Sequence, residues 1–310
     1  MHLGIGNSIG KLTGKMPEAA VPAPTLYTTN LIGHWDFTDA DQMYLERTSY
    51  GTNVSSDGDA IGRVKNKATG TTALGTFLRA TSDSERPLYK TGGQNSKTFA
   101  RFDGSNDHLF GKRHTNQDWG AVTGSTFSTS TVYQNAVSVI FVGKTTNAAA
   151  SGSEKMISVN GTGSIAASMT IQKTGYGAND LQGFQFDQNS ANTNTFYNDS
   201  DFGTTVALYS VVFATGTSII DGVNAGNCIS YKNGAIDQDA RGTATANEGM
   251  VFNTGNMNGF CLAENIHNTF GPMGFNWGGD IYEVLFYNEA LSHENRESIE
   301  TYLNTKYNIY

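Results

Sequence analysis

The sequence contains no run of 18 apolar residues, so no segment has the length of a membrane-spanning helix. Charge is sparse as well: Asp, Glu, Lys and Arg make up 15% of the chain. Its 20 basic residues are outnumbered by 28 acidic ones, for a net charge of −8, and they form no cluster. Phosphate binding needs concentrated positive charge, so a nucleic-acid partner is disfavoured. Only two cysteines occur, Cys228 and Cys261, and both are expected to be reduced, small hydrophobic residues. His2, His34, His108, His114, His267 and His293 show no metal-ligand spacing with either. The opening MHLGIGNSIGKLTGK has no continuous apolar core of signal-peptide length, which predicts a chain made in a cytoplasm.

What is abundant is glycine, 36 residues, with Ser, Thr and Asn filling the stretches between apolar runs. Gly and Asn tolerate the positive φ of tight turns, so this mixture suits many strands joined by turns. From Leu31 the pattern alternates: Leu31, Gly33, Trp35 and Phe37 are predicted on one strand face, Ile32, His34 and Asp36 on the other. Ser138 to Val142 reads as a central strand buried on both faces. Met156 to Val159, Met169 to Gln172, Phe184 to Phe186 and Val206 to Phe213 read as further strands. Asn233-Gly234 between two short alternating runs predicts a hairpin. In DIYEVLFY, Tyr282, Val284 and Phe286 are expected on one face, with Ile281, Leu285 and Tyr287 on the other. One helix is predicted at the end, with Ser292 as its N-cap and Ile299, Tyr302 and Leu303 facing the sheet.

The first 27 residues stand apart. Glycines separate Leu3, Ile5, Ile9 and Leu12, and then Pro17, Pro22 and Pro24 follow, three of the five prolines. Proline favours extended chain, so residues 1–27 are expected to be an N-terminal arm with a spacer, and residues 28–310 a folded domain. The four aliphatic residues would then be the contacts of partner attachment.

Three segments, NLIGHWDFTDAD, FARFDGSNDHLF and GGDIYEVLFYNEALSHENRESIETYLNTKYNI, resemble the concanavalin A-like (laminin-G-like) superfamily of lectin and glucanase jelly rolls. The resemblance implies an all-β, antiparallel β-sandwich (jelly roll) with one short C-terminal helix and an extended N-terminal arm. The glycine-rich start before such a domain is also similar to virion proteins of tailed bacteriophages. Glucanases of the superfamily would imply a Glu-x-Asp-x-Glu strand, whose alternate spacing puts carboxylates on one face. No such triplet occurs, and Asp280 and Glu283, at odd spacing, are expected on opposite faces. On that ground the chain is expected not to be an enzyme, with no cofactor.

Asp36, Asp39, Asp41, Asp57 and Asp59 invite calcium, but an EF-hand loop fails because Ala40 and Asp41 occupy its fifth and sixth positions. Calcium held by separate loops and solvated turn carboxylates remain the two readings. Asp103 and Asp107 read as turn formers. Trp119, Tyr197, Phe270 and Trp277 sit among small polar residues; Trp119 and Trp277 are the candidates for ligand contact, against the alternative of plugging the sandwich ends. The leading expectation is a virion structural protein on a phage capsid or tail, attached by its arm to other virion proteins and oligomeric, with a trimer as one form. The alternatives are a lectin-like module binding cell-surface glycan and a diverged polysaccharide-degrading enzyme.

Overall fold

A computed structural model describes residues 23–49, 51–69, 77–112, 136–146, 154–161, 167–173, 183–188, 192–197, 203–214, 228–237, 257–264 and 276–310. The expected arm residues Leu3, Ile5, Ile9 and Leu12, and Trp119, Tyr197's side chain and Phe270, lie outside that description.

The strands in chain order begin with β1 (Leu31–Asp36), β2 (Met43–Tyr44), β3 (Arg63–Lys65), β4 (Phe77–Arg79), β5 (Leu88–Lys90) and β6 (Phe99–Asp103). Then come β7 (Leu109–Lys112), β8 (Ala136–Thr145), β9 (Glu154–Gly161), β10 (Ala167–Lys173), β11 (Gly183–Gln188) and β12 (Asn192–Tyr197). The last are β13 (Ala207–Ala214), β14 (Cys228–Lys232), β15 (Ala235–Ile236), β16 (Met257–Leu262) and β17 (Gly278–Tyr287), followed by helix α1 (His293–Tyr307). They form two antiparallel sheets. The first runs β15-β14-β13-β8-β17-β6-β5, with β1 also on β17; the second runs β12-β11-β10-β9-β16-β7-β4-β3-β2. Consecutive strands pair in β2-β3-β4, β5-β6, β9-β10-β11-β12 and β13-β14-β15, while other pairs are distant in sequence, as in a jelly roll: β17 sits between β8 and β1/β6. This is the all-β antiparallel sandwich with a C-terminal helix that the resemblance implies.

The core lies between the sheets. Trp35 of β1 is fully buried and stacks on Phe260 of β16, ring centroids 4.4 Å apart, so the two sheets are joined by an aromatic pair. Val139 and Phe141 of β8 face this core, whereas Ile140 and Val142 face the opposite side. That outer side is a second apolar layer, closed by Leu291, Ile299, Leu303 and Tyr307. Helix α1 starts where Ser292 accepts the Asn295 amide at 3.3 Å and ends at Asn308 in the left-handed region, φ 51°. Tyr302 is only partly buried; Tyr307, one turn after Leu303, completes the buried stripe instead.

Two β-bulges correct the face assignments made from strict alternation. A register shift between Leu31 and Gly33 sends Leu31 to the helix side and Ile32 to the core with Trp35 and Phe37. A second shift between Ile281 and Glu283 leaves Tyr282 as the extra residue. Ile281 therefore faces the core with Val284 and Phe286, and Tyr282 joins Leu285 and Tyr287 on the helix side. The hairpin at Asn233-Gly234 is present, with φ of 51° and 81° at the two residues, the double positive φ that favours this pair.

Candidate functional site

Beneath α1, the outer-facing residues of β1 and β17 build a buried polar cluster. Glu283 and Asp36 are cross-strand partners. His34 Nε2 lies 2.7 Å from Glu283 Oε1, and Tyr307 donates its hydroxyl to Glu283 Oε2 at 2.7 Å. Lys306 Nζ donates to both carboxylates, at 2.7 Å to Glu283 and 3.0 Å to Asp36, while Lys67 Nζ bridges Asp36 and Asp39 at 3.0 and 3.1 Å. Burial pulls the Asp36 carboxyl upward, but the Lys306 and Lys67 ammoniums and the Thr38 hydroxyl outweigh it and hold it far below the usual range. Burial raises the Tyr307 phenol strongly, and the Glu283 charge adds to that.

Ligand atoms of His34, Asp36 and Glu283 lie within 4.8 Å of one another, a spacing that would suit a metal ion. The carboxylate oxygens such an ion would need already accept from two ammoniums and a phenol. The donor set is therefore matched by protein cations, and the cluster ties the helix end to the sheet.

Asp57 and Asp59, also considered for calcium, are taken up by protein donors. Asp59 accepts the Ser55 and Ser56 amides at 2.8 Å, and Asp57 takes Lys90 and the Thr91 amide. Asp103 Oδ1 accepts the amides of Ser105, Asn106 and Asp107, as expected of a turn former. Cys261 is a free, buried thiol. Trp277 is buried in the core, 1% exposed, with its ring 6.3 Å from that of Phe102; it plugs the sandwich and presents no face to a ligand.

The accessible charged feature lies on the outer face of the first sheet, beside the area that α1 covers. Register aligns Leu88 of β5, Arg101 of β6, Asp280 of β17 and Lys144 of β8 in one transverse row. Neighbouring strands are about 4.8 Å apart, so the row spans about 14 Å. Asp280 is buried, yet its carboxylate accepts a two-pronged contact from Arg101, Nε at 2.7 Å and Nη2 at 2.9 Å, with Lys144 Nζ at 3.6 Å. The Arg101 side chain itself is 41% exposed, and its guanidinium rests 5.3 Å from the Phe99 ring centroid. Hydrogen bonding to Asp280 strengthens the guanidinium as a cation. Nη1 and the second Nη2 hydrogen are not used by Asp280. Leu88, 39% exposed, supplies an apolar edge.

Alternation along β17 concealed this row. It put Asp280 and Glu283 on opposite faces, but the bulge at Tyr282 returns both to the helix side: Asp280 meets Arg101 over Phe99, which stacks on Tyr282, and Glu283 meets α1. The partners Arg101 and Lys144 come from other strands, so no spacing motif announces them.

No protein-family model and no curated protein matches the chain. Among solved structures, it is similar to a Trypanosoma rangeli sialidase in complex with 2,3-difluoro-KDN, at 11% identity and TM-score 0.50, over 94% of this chain and 36% of that one. It is also similar to the Ruminococcus gnavus IT-sialidase CBM40 bound to α2,3-sialyllactose, at 14% identity and TM-score 0.38, over 56% and 85% of the two chains. The binding domain of botulinum neurotoxin DC in complex with rat synaptotagmin II matches at 8% identity and TM-score 0.44, over 90% and 52%. The chain thus spans about a third of the length of the sialidase it matches. The sialidase matches, at TM-score 0.50, support a β-sandwich and give no support to the bacteriophage resemblance. They also correct the expectation that the chain is not an enzyme: the sandwich is shared with sialidases, which are enzymes, so a missing carboxylate triplet on one strand does not set this fold apart from them. At these identities the likeness establishes the β-sandwich fold.

Proposed function

We propose that the chain is a lectin-like module that binds an anionic saccharide on the Leu88–Arg101–Asp280–Lys144 row. The observation that carries this is the half-exposed Arg101 guanidinium, held on the outer face of the sheet by a buried aspartate beside a second cation. A guanidinium oriented before binding loses little entropy when it forms paired hydrogen bonds with a carboxylate. Leu88 offers an apolar edge for a sugar's C–H face. A chain sharing this sandwich has been seen in complex with sialic acid, an acidic sugar, which favours saccharide over other anions.

Titration calorimetry with α2,3-sialyllactose, against lactose as the neutral control, tests the reading. Binding of the acidic sugar is expected, weakened about 10- to 100-fold in Arg101→Lys, which keeps charge and loses the fork. Equal affinity of both sugars, or an unchanged affinity in Arg101→Lys and Lys144→Ala, would overturn it.

A second reading is display on a particle through residues 1–27, favoured by Leu3, Ile5, Ile9 and Leu12 followed by a proline spacer. Removing residues 1–26 would then abolish particle incorporation while leaving saccharide binding intact; normal incorporation would dismiss it.

A further inference from the structure

His108 is 2% exposed, at the end of the Asp103–Asp107 turn, and among the described residues its two ring nitrogens face a carbonyl, a carboxylate and a hydroxyl oxygen. Nδ1 lies 3.0 Å from the Asn106 carbonyl and 3.0 Å from a Glu264 carboxylate oxygen. Neither group has a hydrogen to give, so Nδ1 carries a proton. Nε2 lies 3.0 Å from Thr81 Oγ1. A threonine hydroxyl has a single hydrogen, and this one is donated to Glu85 Oε2. With that hydrogen on Glu85, Thr81 offers Nε2 a lone pair, an arrangement that suits a protonated Nε2.

The same turn meets the chain on both sides of residues 265–275. Glu264, just before them, holds His108; Asn276, just after them, donates to the Ser105 carbonyl. Gly104 has φ +76° and approaches Gly278 so closely that a Cβ would meet its Cα at 3.1 Å. We infer that His108 is an imidazolium at neutral pH whose charge clamps the 103–108 turn to the 81–85 turn and to Glu264, so that the anchorage of the stems flanking residues 265–275 loosens as pH rises.

The groups around it act in the same direction. Glu85 on the 81–85 turn and Glu264 after β16 face the ring, and Arg47 is engaged by the Thr81 carbonyl at 2.6 Å. Burial disfavours the charged ring, but the Glu264 hydrogen bond and the charges of Glu264 and Glu85 more than offset it, and the net direction is upward. Asp103 and Asp107 lie on the turn itself, and Asp107, whose carboxyl burial pushes up to about 7, ionises in the same range. Cys261 on β16 stays a neutral thiol, pushed up by burial and by Glu264. A cation whose proton affinity is raised by folding contributes stability that is full below the unfolded value and is lost as pH climbs through the folded one. On losing the Nε2 proton, two lone pairs face each other unless Thr81 releases Glu85.

Nitrogen-15 spectra of the full chain's histidines read the protonation directly. His108 is expected to show both nitrogens protonated at pH 7, with a titration midpoint above the ordinary value of about 6.5. Glu264→Gln and Thr81→Val should each lower that midpoint. Exchange of the Ser105 to Asp107 and Gly278 amides, corrected for intrinsic rate, should quicken across the same midpoint. A single neutral tautomer at pH 7, or amide exchange indifferent to the midpoint, would overturn the inference; the unmodified protein alone decides it if a variant fails to fold.

Discussion

Replacing Lys306 by methionine removes the cation that joins Glu283 to Asp36. Glu283 is fully buried and would keep the His34 ring and the Tyr307 hydroxyl; Asp36 would keep Lys67 and Thr38. Breaking a buried ion pair by removing one partner costs about 3–5 kcal/mol, because a desolvated charge is left behind. Lys306 retains some exposure and Lys67 still neutralises Asp36, so the cost is expected to be about 2–4 kcal/mol. The assay is urea denaturation of the single variants Lys306→Met and Glu283→Gln and of the double variant. Removing both charges takes away the orphaned carboxylate, so the double variant should be more stable than the sum of the singles allows, with a coupling of at least about 1 kcal/mol. Because the pair is buried, 0.5 M salt should change that coupling little. Additive behaviour within about 0.5 kcal/mol would refute the idea that this cluster fastens the helix to the sheet.

Two further outcomes follow from the core and the Asp103 turn. Trp35→Ala should destabilise by about 3–5 kcal/mol through lost burial and the cavity beside Phe260; an unchanged denaturation midpoint would remove Trp35 from the core. Burial, with the Asp103 charge added, pushes the Asp107 carboxyl up to about 7. Its contribution is therefore full below about pH 4 and lost as pH rises to 7, so Asp107→Asn should gain on the order of 1–3 kcal/mol relative to the natural chain at pH 8 and little at pH 4; equal differences at both pH values would contradict this.

Much of the fold was legible from local chemistry. Continuous apolar, β-rich runs gave β8 and β13, positive-φ residues gave the Asn233-Gly234 hairpin, and Ser292 marked the helix start. Period-two reasoning failed at Leu31 and Tyr282, because a bulge inserts one residue without altering composition, and every later side chain changes face. The polar clusters were hidden for a related reason. His34, Asp36, Glu283 and Lys306 meet only through the pairing of β1 with β17 and the docking of α1, Asp36 and Lys306 being 270 positions apart, and Lys67 joins them from the chain after β3. Arg101, Asp280 and Lys144 likewise become one row only through register. Trp277 was a candidate for ligand contact against the alternative of a plug because its neighbours are small; its ring is buried, and Gly279, where a Cβ would strike it, makes room for it.

The claim that the charged row receives an acidic sugar is tested most directly on the guanidinium itself. The Arg101 Nε–H resonance can be followed while α2,3-sialyllactose, and separately lactose, is added to the full chain. Saturable movement of that resonance with the acidic sugar, and none with lactose, is the predicted result. An Arg101 signal that stays fixed at saturating acidic sugar, or that moves equally with lactose, would contradict the account.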